Sequence, residues 1–538
     1  MRISPSQLTI RELIGQLLMP KLPDTAELAD PAVWQRVVDD QARFHYGGYI
    51  VFRGDWRTTP PLLEELQDLS EVPLLIGSDL ERGAGQQFVG ATDFPHGMAL
   101  GAARDPDLAY QQGAITALEA RRAGVHWVFA PSLDLVSLPN NPIINVRGIS
   151  DVPRAVGQLG AAFIEGVQRH RAIACGKHFP GHGQTGVDSH DDLPVLHVSR
   201  HRLETEDLMP FRHAIQAGLK SVMVGHLAVP ALDETGLPAT MSKRIVTDLL
   251  RDQLGFNGLI ITDALDMGAI TRRYDPGLAA VRALQAGVDV LLMPPDPEAV
   301  VEAVLRALEE GGLTKQRLLE SAERIDQARL ELGLWRYGDE DEPMPVAWPD
   351  YAPAVAAIAD AAVTLVEDPG GLLPLPDGGS VCALLLDDDD DARVQADWRR
   401  VLGELGGPFT ELRVGALGSA SDEAAVAAAC REAARCEVVV VPVFMAVRAW
   451  KNRVTLPPLL ASVPARLKAA GARVVVVSFT SPFLHDQLAA ADAYVCAYSP
   501  NVHCQRAAVQ ALWGRQRFAG RLPVALPEPE PENALPSA

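Results

Sequence analysis

The chain has 538 residues, 48% of them apolar and 22% charged, and carries a formal charge of -21. That length exceeds what one ordinary core organises, so two domains are expected, and the composition excludes a disordered chain. The negative charge is spread along the sequence, which argues against a nucleic-acid or anionic-membrane partner, and no apolar run is long enough to predict a transmembrane helix.

The N-terminal segment MRISPSQLTIRELIGQLLMPKL alternates charged and apolar residues at helical spacing and has no continuous hydrophobic region, so a cytoplasmic location is predicted. The six cysteines lack C-x-x-C spacing and read as reduced, buried thiols, with no metal or other cofactor implied.

From residue 47 to 294 short apolar runs alternate with segments of helical period, the pattern of repeated βα units around a parallel sheet. Seven strands are predicted: 47–52, 72–79, 126–135, 172–180, 220–227, 258–265 and 289–294. Each run turns polar at its C-terminal end, where Asp79, Asp134, Lys177, His178, His226 and Asp263 stand. Polar residues there are what a (β/α)8 TIM-like barrel needs for chemistry. An eighth strand is not apparent, which leaves the expected barrel irregular or incomplete. The barrel is assigned residues 1–340, and an acidic, proline-rich stretch at 341–352 reads as a linker. Residues 353–538 then form a smaller α/β sandwich domain, with strands at 381–387, 437–444, 472–479 and 493–499 and helices near 421–435 and 503–513. The aspartate run Asp387 to Asp391 reads as a solvated loop, and no catalytic cluster is visible in this half.

The densest polar cluster is GKHFPGHGQTGVDSHDDLP, from Gly176 to Pro194. In Asp188-Ser189-His190 a carboxylate can orient an imidazole and raise its basicity, which makes His190 a candidate general acid/base; an isolated D-x-H is also common in loops. Asp263 ends the run GLIITD, where a barrel residue points into the mouth, and reads as nucleophile, binder or structural aspartate. Asp266, before MGAITRR, reads as a helix N-cap.

With SDLERG, FAPSLDL, NPIINVRG, GKHFPGHG followed by DSH, MVGHLAVPALD and GFNGLIITDALDMGAI in place, the chain resembles glycoside hydrolase family 3, in its β-N-acetylglucosaminidase branch. The likeness continues through TLVEDPGGLLPL to GRQRFAGRLPVALP near the end. The resemblance implies a retaining, exo-acting β-N-acetylhexosaminidase. By it Asp263 matches the nucleophile, Asp188 and His190 the acid/base dyad of a mobile loop, and Asp79, Arg147, Lys177 and His178 the residues that hold sugar hydroxyls. Lys177 and Arg147 are also expected to keep Asp263 ionised by opposite charge. The implied partner is a β-N-acetylglucosaminide, with a peptidoglycan fragment, a chitin oligomer and another β-hexosaminide all left open as the natural substrate.

Several readings stay open beside this one. A histidine acid/base repels phosphate less than a carboxylate would, which admits a retaining phosphorylase, and tolerance of β-glucosides or β-xylosides is unassigned. His178, His182, His190, Asp188 and Asp263 also admit a metal-dependent barrel hydrolase, although no H-x-H stands on the first strand. A non-catalytic sugar-binding protein is the reading from another class; joint retention of Asp188, His190 and Asp263 opposes it.

Overall fold

A computed structural model describes residues 2–335, 349–407, 409, 411–445 and 453–527. Most of the expected linker, from 341 to 348, lies outside the described residues. The chain divides into two compact units. The first holds residues 1–94, 105–135 and 153–354; the second holds 95–104, 136–152 and 355–538.

The first unit is built on eight parallel strands: β1 (Leu18–Met19), β2 (Gly48–Ile50), β3 (Leu75–Ser78), β4 (Trp127–Val128), β5 (Ile173–Phe179), β6 (Ser221–Val224), β7 (Leu259–Thr262) and β8 (Leu291–Leu292). Strands β2 to β7 form one sheet in chain order, and β1 pairs with β8. Single parallel bridges, Lys21 to Ile50 and Ile261 to Val290, join the two pieces into a closed ring. The eighth strand is therefore β1. Its two residues are too few to show a period, and the capped helix Ile10–Gly15 just before it dominates the local pattern. The other seven strands fall inside the predicted runs but are shorter, because the polar ends of those runs leave the ladder as loops.

Every residue of β2 to β7 is buried, as expected for parallel strands covered by helices and filled on the inside. Asp289, just before β8, is buried and accepts from Arg251, Arg324, Ser321 and the Ile260 amide. These bonds tie β8 and the helix Lys315–Glu331 to β7 at the strand N-termini, away from the polar strand ends.

The second unit has a six-stranded sheet of β9 (Thr364–Glu367), β10 (Ser380–Asp387), β11 (Glu411–Gly418), β12 (Val438–Phe444), β13 (Arg473–Ser478) and β14 (Ala493–Cys496). Its order is β9-β14-β13-β12-β10-β11, parallel except for β9 against β14. The four predicted strands are present; β9 and β11 are additional. Alternate residues Val381, Ala383 and Leu385 of β10 join Val438 and Val440 of β12 in a core with Trp398 and Ala507, from helices Ala392–Leu405 and Val502–Leu512. This strict period of two sends the intervening residues to the opposite face.

The aspartate run departs from expectation. Asp387 is the last residue of β10, is buried, and accepts from Gln395, and Asp388 is buried with both its oxygens accepting from Arg453 Nη2. Of the later members Asp390 is exposed while Asp389 and Asp391 are half-buried; sequence pattern could not reveal an arginine more than sixty positions away.

Candidate active site

Three polar groups converge where β3 ends beside β5. Asp79 follows β3, and Glu81 stands two residues on, a spacing that lets an extended chain aim both side chains alike. Lys177, inside β5 and only 2% exposed, places its ammonium 2.6 Å from Asp79 Oδ1 and 2.8 Å from Glu81 Oε1. A buried ammonium is tolerated here because two carboxylates offset its lost hydration.

Asp134 is the most heavily bonded carboxylate of the site. Buried completely, it accepts from His178 Nδ1 at 2.6 Å, the His178 amide at 3.1 Å, the His182 amide at 2.6 Å and Ser132 Oγ at 3.1 Å. Burial pushes its pKa up, but the imidazole of His178, its hydrogen bond and the His182 contacts outweigh that and bring it down to about 2. The ionised carboxylate holds the proton of His178 on Nδ1, so Nε2 is left for other partners.

The root of the following loop is equally constrained. Thr185 donates its hydroxyl to the His182 carbonyl at 2.9 Å, so its oxygen accepts from His182 Nδ1 at 2.6 Å, and Nε2 accepts from Ser189 Oγ at 3.1 Å. Burial depresses the His182 pKa to about 4, with His178 contributing, which keeps this ring neutral and suits it to one donor and one acceptor role.

Farther along the loop, Asp188 is buried while the His190 side chain is 43% exposed. Asp188 Oδ1 accepts from both the His190 amide and His190 Nδ1, each at 2.8 Å. A turn therefore lets the two side chains bond directly. The proton is held on Nδ1, and Nε2 is the nitrogen open to proton exchange.

Asp263 follows β7. Its amide donates to the Val224 carbonyl at 2.9 Å, and its Oδ1 accepts from the Ala264 amide at 2.8 Å. Burial raises its pKa, yet the imidazoles of His178, His226 and His190 and the Ala264 N–H more than compensate, and the carboxyl stays below its ordinary range. The largest favourable contributions at Asp263 thus come from imidazoles, and the Lys177 ammonium is itself bonded to Asp79 and Glu81. The expectation for Asp266 is corrected: it is exposed, the helix Gly268–Thr271 takes Met267 as its N-cap residue, and no side chain caps it.

His226, Glu81 and Asp134 carry no role in the sequence reading, though His226 and Asp134 stand at strand ends. His226 is buried, donates from Nε2 to the Ala264 carbonyl at 3.0 Å, and meets Thr240 Oγ1 through Nδ1 at 3.0 Å. It thereby braces the backbone next to Asp263. Six of the seven candidate site residues, Asp79, Lys177, His178, Asp188, His190 and Asp263, belong to the first unit; Arg147 belongs to the second. Its guanidinium donates to the Ile143 carbonyl at 3.1 Å, and the same segment is held by Ser150 and Asp151 contacts to Pro523.

The arrangement is therefore a carboxylate held ionised at a barrel strand end, with a carboxylate-oriented imidazole that is 43% exposed. Residues 9–328 match the family model described as glycosyl hydrolase family 3 N terminal domain. The chain belongs to glycosyl hydrolase family 3. Among relatives of this family 3 chain, β-hexosaminidase A of Pseudoalteromonas piscicida is 33% identical over 380 residues, 64% of this chain and 63% of that protein. A Cellulomonas fimi protein named β-N-acetylglucosaminidase/β-glucosidase is 31% identical over 343 residues, covering 62% and 61%. The chain thus spans somewhat under two thirds of the length of both. A solved family 3 β-N-acetylglucosaminidase from a Paenibacillus species superposes with a TM-score of 0.84 at 30% identity, over 96% of this chain and 99% of that one. No described helix is long and apolar enough to cross a membrane.

The lowered pKa of Asp263 has a kinetic consequence. Its carboxylate stays ionised as pH falls through the ordinary carboxylate range, so the acid limb of kcat/KM governed by this group is expected below pH 3.8. A pH–rate profile with a limb near pH 5 that disappears in Asp263→Glu would contradict the electrostatic account.

Proposed function

We propose that the protein is a retaining, exo-acting β-N-acetylhexosaminidase that releases terminal β-linked N-acetylglucosamine. The observation that carries this reading is the Asp188–His190 pair, bonded through Nδ1 at 2.8 Å, in the same unit as an ionised strand-end Asp263. Asp263 attacks the anomeric carbon and forms a glycosyl ester, while His190, protonated at Nε2, gives its proton to the departing glycosidic oxygen. Water then attacks the same carbon, His190 Nε2 takes the proton, and the ester bond to Asp263 breaks with net retention. Asp79, Lys177 and His178 hold the sugar hydroxyls, and the ionised Asp134 keeps His178 aimed.

The names of the relatives support an N-acetylhexosaminide as substrate, and the Cellulomonas fimi name supports a secondary activity on β-glucosides. The natural substrate is a peptidoglycan fragment or a chitin oligomer. A cytoplasmic location is part of the same proposal, supported by six buried cysteines that lack C-x-x-C spacing.

The test is hydrolysis of aryl β-N-acetylglucosaminide and aryl β-glucoside by the purified chain, with and without inorganic phosphate and with a chelator. The expected result is at least tenfold higher kcat/KM on the N-acetyl substrate, first release of the β-anomer, and indifference to chelator. A sugar 1-phosphate product would assign phosphorolysis instead. Turnover of neither substrate would sink the proposal.

A further inference from the structure

The loop that carries Asp188 and His190 is fastened at its tip to the turn that leaves the nucleophile strand. The Gly268 amide donates to the His190 carbonyl at 3.0 Å, and the Ala269 amide donates to the Ser189 carbonyl at 3.1 Å. Gly268 and Ala269 open the helix Gly268–Thr271, and amides in a first helical turn have no partner within the helix. Here the loop's own carbonyls satisfy them, in the place a capping side chain would take. The approach is close enough to require glycine: a Cβ at Gly268 would lie 2.5 Å from the His190 oxygen and 2.8 Å from the Asp191 oxygen.

The two ends of the loop are held differently. Its root is anchored by buried groups, His182 on Asp134 and Gly183 packed so tightly on the Leu135 carbonyl that a Cβ would stand 1.9 Å from that oxygen. Gly186, midway along, has nothing within 4 Å of a would-be Cβ. Toward the tip, the fastenings to the helix side are the two backbone bonds and an exposed Asp192–Arg273 pair at 2.9 Å. Exposed ion pairs contribute little, so on the helix side the backbone bonds hold the tip, while Ser189 is also tied to the root through His182.

We propose that Gly268 is a positioning residue for the acid/base: by clipping the loop tip to the segment five residues beyond Asp263, it sets where His190 Nε2 stands relative to the nucleophile. The proposal rests on His190 being the acid/base. Any side chain at position 268 displaces the His190 backbone and leaves Asp263 and the residues around Lys177 as they are. Proton donation then suffers, while attack by Asp263 does not.

A leaving-group series reads this directly, because departure of a weakly basic phenolate needs no acid and departure of a strongly basic one does. The variants are Gly268→Ala and His190→Ala, with aryl β-N-acetylglucosaminides as substrates. Gly268→Ala is expected to lose at least tenfold in kcat/KM on the methoxyphenyl glycoside and less than threefold on the dinitrophenyl glycoside. Azide, attacking the anomeric carbon of the Asp263 ester and displacing the carboxylate, is expected to speed dinitrophenyl turnover in both variants. A uniform loss across the series, or none, overturns the role of Gly268. If His190→Ala itself shows no dependence on the leaving group, the acid/base assignment fails and the clip with it. Hydrogen exchange in the unaltered protein provides an arm that does not depend on a variant folding: the Gly268 and Ala269 amides are expected to be protected, and exchange at the free-peptide rate overturns the proposal.

Discussion

Asp263→Asn is expected to lower kcat on aryl β-N-acetylglucosaminide by on the order of 10⁴-fold or more, the scale found when a covalent nucleophile is removed. The amide keeps the shape of the carboxylate and can still accept from the Ala264 amide, but it cannot form the ester. Stability is expected to change by only about 1 kcal/mol, since no bulk is added or removed. In the truncated variant Asp263→Ala, which opens that face, added azide would attack the anomeric carbon and give an α-glycosyl azide. Chromatography of that product, beside the residual rate, separates a lost nucleophile from a damaged fold. Retention of a tenth or more of the native rate would mean that another group attacks the sugar.

The second large effect is expected at a residue that touches no substrate in the proposed mechanism. Asp134→Ala removes the acceptor of His178 Nδ1, two backbone amides and the Ser132 hydroxyl together. Leaving a buried donor without a partner costs about 1–3 kcal/mol, and several donors lose their acceptor here, so a loss of about 4 kcal/mol is expected. Activity falls as well, because His178 loses its orientation and the loop root loses its anchor. The pH dependence follows from the pKa of about 2. A depressed folded-state pKa gives stability that is complete above the ordinary carboxylate pKa of about 4 and is lost as pH falls through about 2. Denaturant unfolding of both proteins should therefore show a gap that is constant from pH 5 to 7 and closes toward pH 2. A gap below about 1 kcal/mol at pH 7 would remove Asp134 from its organising position.

Much of this was legible in the sequence, for identifiable reasons. Seven barrel strands are readable because parallel strands buried on both faces are written as unbroken apolar runs that turn polar where the chain leaves the sheet. The Asp188–His190 contact is readable because two residues of spacing suffice for it, and Asp263 because its strand announces where it ends. In the second unit the valine runs of β12 and β13 mark themselves in the same way.

What the sequence did not determine depends on residues distant along the chain. β1 is a strand only because Leu18 and Met19 find Leu291 and Leu292 beside them, and two residues carry no period of their own. β9 is an edge strand, antiparallel and half exposed, so it lacks the apolar signature of its neighbours. The partner of Lys177, the hub made by Asp134, the bracing by His226 and the pairing of Asp388 with Arg453 are all matters of which side chain arrives at a given point in space. Composition and period specify which segments must be buried and which polar residues stand at their ends. The hydrogen bond that each buried polar group must find is decided by closure of the barrel and packing of its loops, because burial withdraws water as a partner and only groups brought within about 3 Å can replace it.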